Sequence, residues 1–209
     1  MCFSPTASFS AAAVTGACGA VALSRIRSAR EAPLAAIPLA FAAQQALEGA
    51  LWLALPAAPG ESAASPLALA YLAFAQVFWP LWAPLAVLMV EPGRWRRRIA
   101  ATALAVGAGV AAYLALGLAS LPPVAAIVHL HIAYPGHDAD PTALVAAYVL
   151  ATCAPLLASS RRAVVVFGVL VLAGDGASGF FYWEASLSVW CFFAAAASVV
   201  LAASFLKAR

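Results

Sequence analysis

The chain has 209 residues, of which 66% are hydrophobic and only 9% charged. Soluble domains carry roughly 25% charged residues, so the composition excludes a soluble globular protein and points to one polytopic membrane domain over residues 1–209. The formal net charge of +3 gives no reason to expect a nucleic-acid partner, because membrane topology accounts for every basic residue.

Seven apolar stretches are long enough to span a bilayer at about 20 residues each. They cover approximately 7–24, 33–55, 66–90, 99–120, 142–158, 163–183 and 187–206. The expected fold is therefore all-α, a polytopic transmembrane bundle of seven helices. The N-terminus has no basic n-region ahead of the first apolar run, which argues against a cleavable signal peptide.

The connections set the expected orientation. Arg25, Arg27 and Arg30 follow the first span, and Arg94, Arg96, Arg97 and Arg98 follow the third. Arg161 and Arg162 follow the fifth, while Lys207 and Arg209 follow the seventh. Those are all 11 basic residues of the chain. With seven spans they share one face, and basic residues are retained on the cytoplasmic side. The N-terminus is expected outside and the C-terminus in the cytoplasm of a bacterial inner membrane. The opposite face carries Glu61, His129, His131, His137, Asp138, Asp140 and Glu184, with no Lys or Arg.

The second span contains Phe41-Ala-Ala-Gln44-Gln45-Ala-Leu-Glu48-Gly49-Ala-Leu-Trp52. A carboxyl and two amides persist in such a run only if they face protein, a partner or water. Gln44, Glu48 and Trp52 share one helix face at i, i+4, i+8, and Gln45 borders it. In the third span Pro80 and Pro84 each remove a helix hydrogen bond. Gln76 lies close by, and Trp79 and Trp82 are placed to wall a pocket. In the sixth span Gly174, Gly176 and Gly179 surround Asp175, which reads as a helix break, with Ser178 and Tyr182 extending its face. At about 1.5 Å per residue, Glu48, Asp175 and Gln76 all lie roughly 10–15 Å below the outer surface. These residues define the expected outward-facing pocket for a small ligand, proton or ion: Glu48, Gln44, Gln45, Gln76, Trp79, Asp175 and Tyr182.

Between the fourth and fifth spans, Val128-His129-Leu130-His131-Ile132 alternates with period two. An extended strand puts both imidazoles on one side; a short interfacial helix is the alternative. His-x-His on a strand is a ligand pattern for zinc or copper. His129, His131, Cys2 and Cys191 are the candidate metal ligands, and His137, Asp138 and Asp140 lie nearby in sequence. A Cys2–Cys191 disulfide in an oxidising compartment is the alternative for the thiols. No P-loop, dinucleotide fingerprint, zinc-protease helix or serine-elbow motif occurs. No Lys lies within a span, which rules out a retinal Schiff base.

Several short motifs run along the whole chain. They are Met1-Cys2-Phe3-Ser4, Gln44-Gln45 with Glu48-Gly49, Phe78-Trp79-Pro80-Leu81-Trp82, His131-Ile132 with Tyr134, Ala151-Thr152-Cys153 and Ser188-Val189-Trp190-Cys191. In these the chain resembles a family of bacterial seven-span membrane proteins that begin Met-Cys-Phe-Ser and whose function is unknown. The resemblance implies the membrane fold and directs attention to Cys2, Glu48, His131 and Cys191. It implies no activity.

Three functional readings stay open at this level. The first is an outward-facing polar pocket that binds or translocates a small ligand, proton or metal ion. The second is an accessory subunit packed in a larger membrane complex or homo-oligomer. The third is a membrane-embedded enzyme using a divalent metal on a lipid or periplasmic substrate. The lipid bilayer is the partner common to all three.

Overall fold

The computed structural model describes residues 4–55, 62–64, 66–128, 130–136 and 142–207. Helix α1 spans Pro5–Leu23; Ser4 caps it, its hydroxyl accepting from the Ala7 N–H at 3.2 Å, and Pro5 opens it without wasting a donor. A one-turn α2 (Ala32–Ala35) leads into α3 (Ile37–Ala54), again with Pro in the first turn. The third apolar run is built in three pieces: α4 (Pro66–Leu72), a π-helical segment (Ala73–Phe78) and α5 (Trp79–Val90). Then come α6 (Arg94–Ser120), α7 (Thr142–Leu157), α8 (Arg162–Phe181) and α9 (Ser186–Lys207).

Six of these runs are long and apolar enough to cross a membrane, and α7, at 16 residues among those described, is shorter. The fold is thus all-α, as the hydropathy predicts. Helix α3 is the most enclosed of the six. It packs on α1, α4 and α9, while α9 also contacts α1 and α8, and α6 and α7 close the far side against α5 and α8. The buried face of α1 carries Ser8, Thr15, Gly19 and Ala22. Small side chains on this face allow the close approach to α3 that larger ones prevent.

The π-helical segment has a local cause. Pro80 lacks an N–H, so the helix upstream cannot keep its regular ladder. The Trp79 N–H instead bonds back to the Phe74 carbonyl. That leaves the Ala75 carbonyl with neither residue 79 nor residue 80 to donate to it, and the Tyr148 hydroxyl of α7 supplies the missing bond. A buried orphan carbonyl costs roughly 1–3 kcal/mol, so this bond pins α7 to the irregular turn.

The connections gather at the two ends of the bundle. At one end Arg161 Nη2 meets Glu31 Oε1 at 2.9 Å, and Arg96 Nε donates to the Ala158 carbonyl at 3.1 Å. Glu91, only 2% exposed, accepts there from the Ser159 hydroxyl and from the Ser160 N–H. The Arg-bearing connections after α1, α5 and α7 therefore meet at a common end. At the other end lies an antiparallel sheet in the order β1 (Ser62–Ala64), β2 (Val124–Val128), β3 (His131–Ala133). Strand β3 packs against α9 and the 3-10 turn Trp183–Ala185.

Two sequence expectations are corrected here. The glycines around Asp175 do not break their helix, since α8 runs unbroken through them; the irregular turn falls in the third apolar run. The His-x-His stretch is not one strand either. Val128 pairs with His131 in a hairpin that reverses between them, with Leu130 in the left-handed region at φ 64. His129 itself lies outside the described residues. The reversal satisfies the same period-two pattern as an extended strand, which is why the pattern alone did not separate them.

Candidate functional site

The sheet end covers a polar centre on α3. Gln44, Gln45 and Glu48 each have no exposed surface. Gln44 and Glu48 stand one helical turn apart on the face turned toward α9 and the third apolar run, as their i, i+4 spacing predicts. Their partners come from distant elements. The Trp79 indole N–H donates to Gln44 Oε1 at 2.7 Å. The Ser188 hydroxyl of α9 donates to Glu48 Oε1, and Gln45 lies beside the same carboxyl. Cys191, one turn along α9 from Ser188, neighbours Gln44, Glu48 and Tyr71. Tyr71 stacks on Tyr134 with ring centroids 5.2 Å apart, so the segment after β3 forms the roof.

Among the described residues, five side-chain atoms of this centre have no hydrogen-bond partner: Glu48 Oε2, Gln44 Nε2, Gln45 Oε1 and Nε2, and the Trp52 indole N–H. Buried polar groups are nearly always paired. A bare carboxyl oxygen in an apolar interior is costly unless a proton, cation or donor reaches it. The geometry thus sets an acceptor, Glu48 Oε2, and a donor, Gln44 Nε2, on adjacent turns of one helix, with the Gln45 amide between them in sequence.

Beside the centre, α3, α5, α7, α8 and α9 leave a narrow, partly open apolar cleft. Phe41 and Trp79 stack on one wall at 4.0 Å between centroids. Tyr148 and Trp190 meet edge-on at 5.6 Å on the other. Trp79 and Cys191 belong to both the cleft and the polar centre.

The remaining sequence candidates scatter. Gln76, within the π-helical segment, lines a separate recess with Tyr113 and Ser120 against α6. Asp175 is half-buried on α8 and faces Tyr148 and Cys153 of α7 rather than Glu48. Tyr182 lies at the sheet end, its ring 5.0 Å from that of His131. The expected outward-open pocket is closed: its three α3 members are sealed under the roof. Among the described residues no group of three or more His, Cys, Asp or Glu is placed to hold a metal. Cys191 is a free thiol; Cys2, His129, His137, Asp138 and Asp140 lie outside the described residues, and with them the full metal set and the Cys2–Cys191 pairing.

Sequence reasoning missed Ser188, Tyr71 and Tyr134. A signal for the first was present: Ser188 and Cys191 stand at i, i+3 and so share a face near the start of α9. Neither a curated protein nor a solved structure matches the chain. Over residues 1–209 it matches the family of unknown function DUF6629, and it belongs to that family.

Proposed function

We propose that this protein is a multi-pass protein of the bacterial cytoplasmic membrane, its N-terminus outside, whose buried centre around Glu48 binds a small ligand, a proton or an ion. Orientation rests on the gathering of the Arg-bearing connections at one end of the bundle. A reporter enzyme fused after Lys207 is expected to be active only as a cytoplasmic reporter; activity of an exported reporter there overturns the orientation.

The binding reading rests on one observation. Glu48 is wholly enclosed, and among the described residues only Oε1 finds a hydrogen-bond partner while Oε2 has none. An acid placed so in an apolar bundle reads as a functional site by default, because no described neighbour bonds its second oxygen. The adjacent Gln44 amide gives the site direction as well as charge.

Infrared difference spectra of the purified protein in lipid discs test this. A carboxyl band lost in Glu48→Gln is expected to shift with pH or on adding a monovalent or divalent cation. A Glu48 band that stays fixed under all three titrations removes the binding reading.

A further inference from the structure

Topology explains why arginines lie at the basic end of the bundle. It does not explain why Arg94, Arg96, Arg97 and Arg98 crowd the very start of α6. Gly93 caps that helix without a side chain, and its first turn holds no acid. Cations at a helix N-terminus oppose the macrodipole, and like charges at i, i+4 repel. The crowding therefore costs the free protein stability, and an anion would relieve that cost.

Arg96 and Arg97 are already committed. Arg96 lies 4.6 Å over the Trp95 ring and gives its Nε to the Ala158 carbonyl, and Arg97 Nη1 donates to the Leu88 carbonyl at 2.9 Å. Arg94 and Arg98 are exposed, and among the described residues no hydrogen bond or ion pair reaches the side chain of either. The described acids at this end do not neutralise them. Glu31 is paired with Arg161, and Glu91 is turned inward to Ser159 and Ser160.

Arg94 and Arg98 stand one turn apart on the outer side of α6, opposite its buried face of Ala100, Ala103 and Gly107. The apolar run begins at the next residue, Ile99. The pair thus lies at the level where a bilayer carries its phosphates. Trp95, 55% exposed, sits beside it as an interfacial ring does. Ala101, Ala105 and Gly109 continue the same outer side and are exposed, so an acyl chain fits close against the helix.

We infer that Arg94 and Arg98 form a binding site for the head group of an anionic phospholipid. Two guanidinium groups one turn apart suit the oxygens of one phosphate, and the arginine fork grips an oxyanion that a lysine meets only as a point charge. A zwitterionic head group brings its own cation to the pair and gives up the charge advantage. The position at the bilayer edge favours a lipid over a soluble acidic partner. This inference rests on the membrane fold and is independent of the Glu48 reading.

The test uses the full chain in phosphatidylcholine discs that contain a minor fraction of one lipid brominated near its head group. That lipid is phosphatidylglycerol in one set and phosphatidylcholine in the other. Trp95 emission is isolated as the difference between the parent and Trp95→Phe. Brominated phosphatidylglycerol is expected to quench it roughly fivefold more effectively than brominated phosphatidylcholine, about the factor for one arginine beside an anionic surface. High salt is expected to shrink that preference, because the pair is exposed. Inorganic phosphate at matched ionic strength is expected to leave it unchanged.

The double variant Arg94→Gln/Arg98→Gln is expected to bring the two lipids to parity, whereas Arg25→Gln/Arg30→Gln, after α1, keeps the preference. Should the first variant fail to fold, the lipid comparison on the parent stands by itself. Equal quenching by the two lipids overturns the inference and leaves the arginines to a soluble acidic partner. Displacement by inorganic phosphate overturns the lipid as occupant. An equal loss in both double variants overturns the site, because it reports only the summed charge of that face.

Discussion

Gly107→Ala is expected to destabilise the protein by about 3 kcal/mol or more, the upper end for overpacking, although it adds one methyl group. Pro84 has no N–H, so the Pro80 carbonyl one turn earlier loses its helical donor. Gly107 of α6 lies against that carbonyl, and a Cβ there would run into the Pro80 oxygen and come within 2.9 Å of its carbon. The obstacle is backbone, so no rotamer change relieves it. The two helices must separate, and the α5–α6 packing that carries the irregular turn separates with them.

The control lies two residues away. A Cβ at Gly109 meets nothing within 4 Å, and Gly→Ala in an open helical position is favourable by roughly 0.5–1 kcal/mol. Gly109→Ala is therefore expected to match or exceed the parent. Thermal unfolding of the three purified proteins in one detergent gives the comparison. A Gly107→Ala protein as stable as the parent would mean that α6 does not approach Pro80 this closely.

This pair of glycines shows what the sequence conveys and what it does not. Both sit in the same apolar run and have identical local signals. Hydropathy identifies the run as a helix, and the Arg-bearing connections identify its basic end. Neither says which side of an apolar helix meets a neighbour. In a helix that is hydrophobic all round, the choice of face is made by small residues and irregular turns on other elements, which are tertiary information.

The same limit explains the candidate site. Glu48 and Gln44 were legible because a polar group in an apolar run has to be accounted for. Asp175 met the same criterion and nevertheless lies toward α7, because matching depth fixes one coordinate and leaves rotation about the helix axis undetermined. Gln76 was carried elsewhere by the π-helical segment, since one wide turn rotates everything upstream of Pro80 relative to a regular helix. The hairpin at residues 128–131 escaped for a different reason. Its turn holds Leu130 at positive φ, and a leucine gives no warning of the left-handed conformation that Gly or Asn would.

The Ser188 hydroxyl donates to Glu48 from across the α3–α9 interface, and its removal is expected to have the second large effect. Ser188→Ala leaves both carboxyl oxygens without that donor in a site with no exposed surface, at a cost of about 2–3 kcal/mol for a bond to an acidic group. Glu48→Gln is expected to cost less, about 1 kcal/mol, because an amide oxygen still accepts from Ser188. In the double variant Ser188→Ala has only an amide oxygen to orphan, so its penalty should shrink by about 1–2 kcal/mol, a coupling typical of residues in direct contact. The four unfolding midpoints, measured in one detergent, form the cycle. Strict additivity would mean that Ser188 and Glu48 do not touch, and the polar centre would then lack the bond that joins α3 to α9. A coupling of the expected size would place the bare Glu48 oxygen on a rigid, two-helix frame, which a site that selects its ligand by direction requires.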